Sequence, residues 1–294
     1  MNQRASSVGD FAARILSRGG MGEVTRVFQR SAYFVAGRDY VLILWGGPRS
    51  PMTVNIEEFR DPQWRIKVGE HCFLSREQIG FEVGKIDVRR AKVFRSPLLD
   101  KRRITLLGGS RLAKGVAMLR SLYEVSPSGP TLADDPALRS FVREALHPYT
   151  IGSAGPVHCS ASYRGLIGRG GGFTPAGDDF VGGFLATYNY VARCRKGRQV
   201  RIPSALIRGK TVPESGMILV QAAKGNVDEG IGGLIIAATG GSGRFYDELM
   251  AVARRGHTSG IDMSLGVLLC GAAIGEADGE RGLLQMCLDA LWKP

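Results

Sequence analysis

Cysteine is scarce in this sequence, and its few copies lack the spacing of a metal site or a disulfide framework. The 294 residues include five cysteines, an odd number, and no two of them form a C-x-x-C pair. No two of the four histidines have the spacing of a metal-binding pair on one helix. These absences argue against structural zinc and against a small disulfide-stabilised domain.

Long hydrophobic runs are missing as well. The most apolar stretch, LGVLLCGAAIG at residues 265–275, falls short of the roughly 18 residues that a membrane-spanning helix needs. The N-terminus lacks the apolar core of a signal peptide. Residues 6–20, SSVGDFAARILSRGG, predict instead a short surface helix ended by Gly19 and Gly20. We therefore expect a cytoplasmic protein that contacts no membrane.

Glycine and positive charge are abundant. The 41 glycines are about twice the usual share, and such a content indicates close backbone approaches or unusual dihedral angles. The formal net charge of +12 fits nucleic acid, anionic lipid or small anionic substrates as partners. Residues 89–103, RRAKVFRSPLLDKRR, are strongly basic, but no nucleic-acid-binding module is recognisable. Nucleic-acid binding is therefore not expected.

The first third of the chain has strand patterns. Residues 23–35 (EVTRVFQRSAYFV) and 40–46 (YVLILWG) are rich in β-branched and aromatic residues, and the GRD turn between them predicts a hairpin. MTVNIEEF at 52–59 and KIDVRRAKVFRS at 85–96 predict two further strands, the second near a sheet edge. Short strands with such turns indicate a small barrel or sandwich.

The remainder has helical patterns. SRLAKGVAMLRSLYE at 110–124 has apolar residues at three- and four-residue spacing, and DDPALRSFVREAL at 134–146 begins with Asp135 as a good N-cap. From residue 175 onward, helical segments alternate with glycines that mark helix ends. We therefore predict an α+β protein, with a mainly β domain over residues 1–115 and a mostly helical domain over 116–294.

Residues 168–183, GRGGGFTPAGDDFVGG, join a glycine-rich loop to a predicted helix start. Thr174 has the properties of an N-cap, and Pro175 those of a first helical residue. Asp178 and Asp179 then fall in the first turn, where free backbone N–H groups and the helix dipole favour negative charge. Taken alone, the stretch requires no function beyond the stabilisation of a helix start.

Residues 255–269, RGHTSGIDMSLGVLL, repeat this pattern. When Asp262 is aligned with Asp179, Gly266 aligns with Gly183, and both segments read G-x-D-x-x-x-G-x-L at an offset of 83 residues (262 − 179). In both, the second glycine lies four residues after the aspartate and shares its helix face, which allows another backbone to approach. We predict two helices that cross near their starts and bring Asp179 and Asp262 together.

Such a site would attract two kinds of chemical group. Backbone amides, two helix N-termini and Arg169 favour phosphate or carboxylate, while the aspartates favour ligand N–H groups or a Mg²⁺ ion. The loop does not match the Walker phosphate-binding pattern. The candidate catalytic residues are Asp178, Asp179, His257 and Asp262. The candidate substrate-binding residues are Arg169, Gly170, Gly171, Gly172, Thr174, Gly177, Thr258, Ser259 and Gly260, and the candidate Mg²⁺ ligands are Asp179 and Asp262.

The two segments resemble the hallmarks of the AllH-like family. GRGGGFTPAGDD resembles G-L-G-P-G-L-T-P-S-G-D-D, and GHTSGID resembles G-H-T-S-G-x-D. The resemblance implies a link to oxamate carbamoyltransferase of anaerobic allantoin breakdown, which interconverts oxalurate plus phosphate with oxamate plus carbamoyl phosphate. It also implies partner subunits. The sequence departs from the pattern at Arg169, Gly171 and Ala176, which replace an apolar residue, a proline and a serine.

Other functions stay open beside carbamoyl transfer. The chain could be a non-catalytic subunit that binds a metabolite or scaffolds partner enzymes. It could also be a different small-molecule transferase or ligase acting on an anionic substrate. The expected partners are a small anionic substrate, subunits of a carbamoyltransferase complex and further copies of this chain.

Overall fold

The computed structural model describes residues 2–56, 66–100, 102–125, 131–146, 163–241 and 243–292. The chain divides into two compact units, Met1–Ser96 and Pro97–Pro294. The predicted domain boundary between residues 115 and 116 falls within a helix of the second unit, Gly109–Val125. A division into domains at that point stays a prediction.

The first unit is a closed barrel of short strands, as the strand-rich patterns predicted. Eight strands follow the order β5-β4-β3-β2-β6-β7-β8-β1, and a further pairing of β5 with β1 closes the ring. A ninth strand, β9, extends the sheet beside β1. The strands are β1 (Asn2–Gly9), β2 (Gly20–Phe28), β3 (Ser31–Ala36), β4 (Asp39–Trp45), β5 (Thr53–Ile56), β6 (His71–Leu74), β7 (Gln78–Phe81), β8 (Gly84–Asp87) and β9 (Lys92–Phe94).

Two predictions for this unit need correction. The N-terminal helix, α1 (Asp10–Arg18), ends at Gly19 as predicted, but Ala12, Ile15 and Leu16 are buried in the barrel core, so it is not a surface helix. The segment KIDVRRAKVFRS forms two strands, β8 and β9, because a turn at residues 89–90 interrupts it. Of the predicted strand at 52–59, residues 53–56 form β5, and residues 57–59 lie outside the described residues.

The second unit is helical, which together with the barrel confirms the α+β class. Asp135 caps its helix as predicted, since its side chain accepts a hydrogen bond of 2.7 Å from the Ala137 N–H. The helices are α2 (Gly109–Val125), α3 (Pro136–Ala145), α4 (Ala176–Cys194), α5 (Ser204–Ile207), α6 (Pro213–Ala223), α7 (Glu229–Thr239), α8 (Phe245–Ala253), α9 (Ser259–Ala277) and α10 (Leu283–Trp292).

Helices α4 and α9 form the centre of this unit and run side by side in the same direction. Both have 19 residues, and their starts and ends occupy equivalent positions in the two aligned segments. At the starts, the Thr174 and Ser259 hydroxyls are 3.0 Å apart. Just beyond the ends, Arg195 and Asp278 form a two-bond ion pair of 2.6 and 2.8 Å. The helices therefore pack along their length and do not only cross near their starts.

The two repeated glycines make this packing possible. A Cβ atom on Gly183 would lie 2.1 Å from the Met263 carbonyl oxygen, and one on Gly266 would lie 2.1 Å from the Phe180 carbonyl oxygen. Met263 and Phe180 are themselves equivalent residues, each following its aspartate. Such reciprocal contacts are the signature of a two-fold relation. The repeated sequence pattern thus corresponds to a pseudo-two-fold pair of helices.

Helix α9 is long and apolar enough to cross a membrane by length and composition, with a mean hydropathy of 1.4. However, 83% of that apolar window is buried inside the protein. Cys270 is among its buried residues, and α2, α4, α8 and α10 all pack against it. It is a core helix of the second unit, and a cytoplasmic location stays a prediction.

We expect that Gly183→Ala and Gly266→Ala each lower the free energy of unfolding by about 1–3 kcal/mol or more, because the new methyl group overlaps a backbone carbonyl that a rigid helix cannot move. Chemical denaturation measures the change. Gly182→Ala and Gly271→Ala are matched controls in the same helices, since a methyl group at either position would have its nearest neighbouring atom 3.8 Å away. These controls should be neutral or stabilising. Equal losses in all four variants would contradict the packing argument.

Candidate functional site

The starts of α4 and α9 bring most of the predicted site residues together. Asp179 and Asp262 are both buried within the second unit, at 4% and 0% exposure. Asp179 accepts a 3.0 Å hydrogen bond from the Thr174 hydroxyl, which also lies 3.0 Å from the Ser259 hydroxyl of the other helix. A chain of polar groups therefore connects the two helix starts.

Thr174 does not cap α4 in the predicted way, and Thr258 does not cap α9 either. Helix α4 begins at Ala176 with Pro175 as its cap residue, and no side chain caps it. The Thr174 hydroxyl instead donates to the Asp179 carboxylate. Thr258 does precede α9, but its side chain makes no capping bond. In both places the hydroxyl donates to a buried carboxyl group, and its oxygen accepts no backbone N–H of the helix start.

Asp178 is fully occupied by hydrogen bonds from the protein. Its Oδ1 accepts the Gly168 N–H at 2.8 Å, and its Oδ2 accepts the hydroxyls of Thr211 and of Ser215, the latter at 2.7 Å. Asp178 thus ties the glycine-rich loop and the start of α6 to the start of α4. This geometry favours a positioning role for Asp178, because both of its carboxylate oxygens already accept hydrogen bonds from the protein. A catalytic role for Asp178 stays a prediction.

Burial makes ionisation of the two matching aspartates unfavourable. Burial raises the pKa of Asp262 to about 7, against the opposing effect of hydroxyl groups on Tyr123 and Thr258. Burial also raises the pKa of Asp179 well above its usual range, and the charges of Asp262 and Asp178 add to the effect. Hydroxyls of Ser259 and Thr174 oppose it. Because both carboxyl groups are buried and the charge of Asp262 raises the pKa of Asp179, the pair favours holding at least one proton near neutral pH.

Tyr123 belongs to the site although the sequence did not suggest it. It lies in the last turns of α2, is 2% exposed, and donates a hydrogen bond of 2.5 Å to Asp262 Oδ1. The helical pattern predicted α2 correctly, but nothing in the sequence links Tyr123 to an aspartate 139 residues later. Only the fold reveals the pair.

The glycine-rich loop before α4 depends on unusual backbone angles. Gly168, Gly170 and Gly172 have φ angles of +79°, +90° and +96°, which side chains other than glycine rarely adopt. Gly170, Gly171 and Gly172 are exposed, and their N–H groups donate to no backbone acceptor within the described part of the chain. The Gly177 N–H, in contrast, donates to the Arg169 carbonyl at 3.0 Å.

Arg169 and His257 lie at the surface. The Arg169 guanidinium is about half exposed and lies 3.5 Å from the carboxylate of Asp135. His257 is exposed in the loop before α9, and the next residues, Thr258 and Ser259, are partly buried, while Gly260 is fully buried. The predicted roles of all these residues in ligand binding or catalysis stay predictions.

A metal site receives little support from the geometry. Over the residues that the structure describes, no group of three or more His, Cys, Asp or Glu side chains is arranged to hold a metal ion. Asp179 and Asp262 are the two carboxylates available for a Mg²⁺ ion, and Mg²⁺ ordinarily takes six oxygen ligands, several of them water. Their assignment as metal ligands stays a prediction.

The raised pKa values predict a distinctive pH dependence of stability. The folded protein retains a proton on Asp262 that the unfolded chain releases near pH 4, so stability should fall as the pH rises from about 4 to about 7. Asp262→Asn keeps an acceptor for Tyr123 but removes the ionisation, so it should reduce this slope, with Asp179 supplying what remains, and stabilise the protein at pH 8. Thermal melting from pH 4 to 8 tests this. An unchanged slope would contradict it, and Asp247→Asn, at an exposed helix start, is the control.

The hydrogen bonds of Asp178 predict that replacing this residue destabilises the protein, unlike the replacement of Asp262. Asp178→Ala leaves one partly buried N–H and two hydroxyls without their acceptor, and should lower the free energy of unfolding by about 3 kcal/mol. Asp178→Asn retains an acceptor oxygen and should cost about 1 kcal/mol. Urea denaturation measures both. A loss for alanine no greater than that for asparagine would argue against the positioning role.

Comparison with known proteins points to one family. A model of the family described as oxamate carbamoyltransferase subunit AllH matches residues 166–271, from the glycine-rich loop into α9 and through both helix starts. The chain matches no curated protein and no solved structure. The resemblance drawn from the two motifs is thereby confirmed for this part of the chain: residues 166–271 are similar to the AllH subunit family.

Proposed function

We propose that this protein is a subunit of a carbamoyltransferase and binds a ureido acid of the oxalurate type at the starts of α4 and α9. The observation that carries the proposal is the joint burial of Asp179 and Asp262 within the region similar to the AllH family. A helix start needs no buried pair of matching aspartates for its own stability. A ligand whose N–H groups bind to the two carboxyl groups would explain why both aspartates are buried here.

The composition of the site supports this ligand class. Oxalurate carries a carboxylate at one end and ureido N–H groups at the other. The exposed amides of Gly170, Gly171 and Gly172, with the partial positive charge of the helix N-termini, suit a carboxylate or phosphate. The carboxyl groups of Asp179 and Asp262 suit the ureido N–H groups.

The proposed reaction is a transfer of the carbamoyl group to phosphate. A phosphate oxygen attacks the terminal ureido carbon, the bond from that carbon to the oxamate nitrogen breaks, and the nitrogen takes up a proton. The attacking hydrogen phosphate loses a proton when its oxygen bonds to carbon, and this balances the proton that the nitrogen takes up. Asp179 and Asp262 would orient the N–H groups, and Arg169 with the loop amides would stabilise the developing negative charge on oxygen.

A second candidate is a binding subunit without catalysis of its own. The full engagement of Asp178 and the exposure of His257 leave few residues for chemistry outside the aspartate pair. The proposal also includes partner subunits, because the matching family is described as one subunit of a carbamoyltransferase. Another transferase or a ligase for an anionic substrate stays a further alternative.

We expect oxalurate to bind the purified protein and Asp179→Asn to abolish that binding, because the amide cannot accept hydrogen bonds with both of its terminal atoms. Isothermal titration calorimetry with oxalurate, oxamate and inorganic phosphate measures the affinities. Asp262→Asn should behave alike. Asp247→Asn, in the first turn of α8, is the matched control and should leave binding unchanged.

The alternatives give different results. If Asp179 only complements the helix dipole, Asp179→Asn should cost about 0.3–1 kcal/mol of stability and leave any ligand binding intact. If the chain is a binding subunit, it should bind oxalurate but form no carbamoyl phosphate when purified alone with phosphate. Failure of oxalurate to bind, with or without phosphate, would reject the proposed substrate class.

A further inference from the structure

The carboxyl group of Asp262 is held at one oxygen and left without a partner at the other. Tyr123 donates to Oδ1 at 2.5 Å, and the Thr258 hydroxyl is near enough to lower the pKa of Asp262, but no donor among the described residues reaches Oδ2 with hydrogen-bonding geometry. Asp262 is nevertheless 0% exposed. A buried acceptor without a donor is costly, so its presence at this position requires a reason.

Tyr123 fixes the orientation of that carboxyl group from outside the AllH-like region. Residues 166–271 supply both helix starts, but Tyr123 comes from α2. Its ring is buried in the core of the second unit, which leaves the hydroxyl little freedom to move. The charges of Asp262 and Asp179 both act on this hydroxyl, after burial itself, to raise the pKa of Tyr123, so it stays protonated and can only donate to a carboxylate.

We propose that Tyr123 is a positioning residue: its hydroxyl holds Oδ1 of Asp262 so that Oδ2 accepts an N–H group of the ligand. The proposal rests on the function proposed above, since it uses the same site and the ureido ligand. It assigns unequal tasks to the two matching aspartates. Asp179 is held by hydroxyls of both helix starts, while Asp262 presents its free oxygen to the ligand.

The alternative is that the hydrogen bond merely satisfies a buried tyrosine. The two explanations differ in which ligand is affected. If Tyr123 has a positioning role, its loss weakens the binding of oxalurate, whose N–H end contacts Asp262. The affinity for inorganic phosphate, which we expect to bind at the loop amides, stays unchanged. A purely structural role would lower stability and change both affinities alike or neither.

The test uses Tyr123→Phe in the full-length protein, with the affinities for oxalurate and inorganic phosphate measured by calorimetry. We expect the Kd for oxalurate to rise roughly tenfold or more, as for loss of a hydrogen bond to a charged group, and the Kd for phosphate to stay the same. Tyr190→Phe is the matched control, because Tyr190 is equally buried in α4 and its hydroxyl bonds Cys194 instead of the site.

Each outcome decides one point. Oxalurate binding that Tyr123→Phe leaves unchanged, or an equal loss for both ligands, overturns the positioning role alone. No oxalurate binding by the unaltered protein overturns the proposed function and this inference with it. If Tyr123→Phe does not fold, 3-fluorotyrosine at residue 123 keeps the hydroxyl and makes it a stronger donor. This fluorinated variant should change the affinity for oxalurate and not the affinity for phosphate. An unchanged affinity for oxalurate would overturn the positioning role as well.

Discussion

Direct contact between the backbones of α4 and α9 is the constraint on which the second unit depends. Gly183 and Gly266 let each helix approach a carbonyl group of the other, and no larger residue fits at this distance. The approach occurs one turn after Asp179 and Asp262, so it also fixes where their carboxyl groups lie. Helix packing and site geometry are therefore one property of the sequence, because the same short pattern specifies both.

The site is formed at the expense of stability. Two carboxyl groups are buried close together, and within the described residues no Lys or Arg forms an ion pair with either. Hydroxyls of Thr174, Ser259 and Tyr123 compensate only in part. Proteins accept such local destabilisation mainly where a ligand or a reaction requires it. The apolar packing around α9, which is buried on almost every side, supplies the stability that tolerates the site.

Local sequence patterns predicted which helices and strands form, but they did not predict how deeply each element is buried or which distant residues it contacts. The α+β class, the β3–β4 hairpin and the Asp135 cap followed from periodicity, turn residues and capping residues, and so did the presence of α4 and α9, although not the way in which they are capped. Burial of α1 did not, because the barrel core that covers it forms from strands distant in sequence. Tyr123 was missed for the same reason, and the role of Asp178 depends on Thr211 and Ser215, which no local pattern connects to it.

The ion pair beyond the ends of α4 and α9 bears on the ancestry of the chain. In an assembly of two identical chains, a residue close to the two-fold axis faces its own copy, so opposite charges cannot meet there. Arg195 and Asp278 hold equivalent positions and yet have opposite charges. Two identical halves cannot encode this complementarity, whereas a chain that contains two different halves can. If the two halves arose by duplication, their equivalent residues have since acquired complementary charges. Two copies of either half alone would place like charges together at this point.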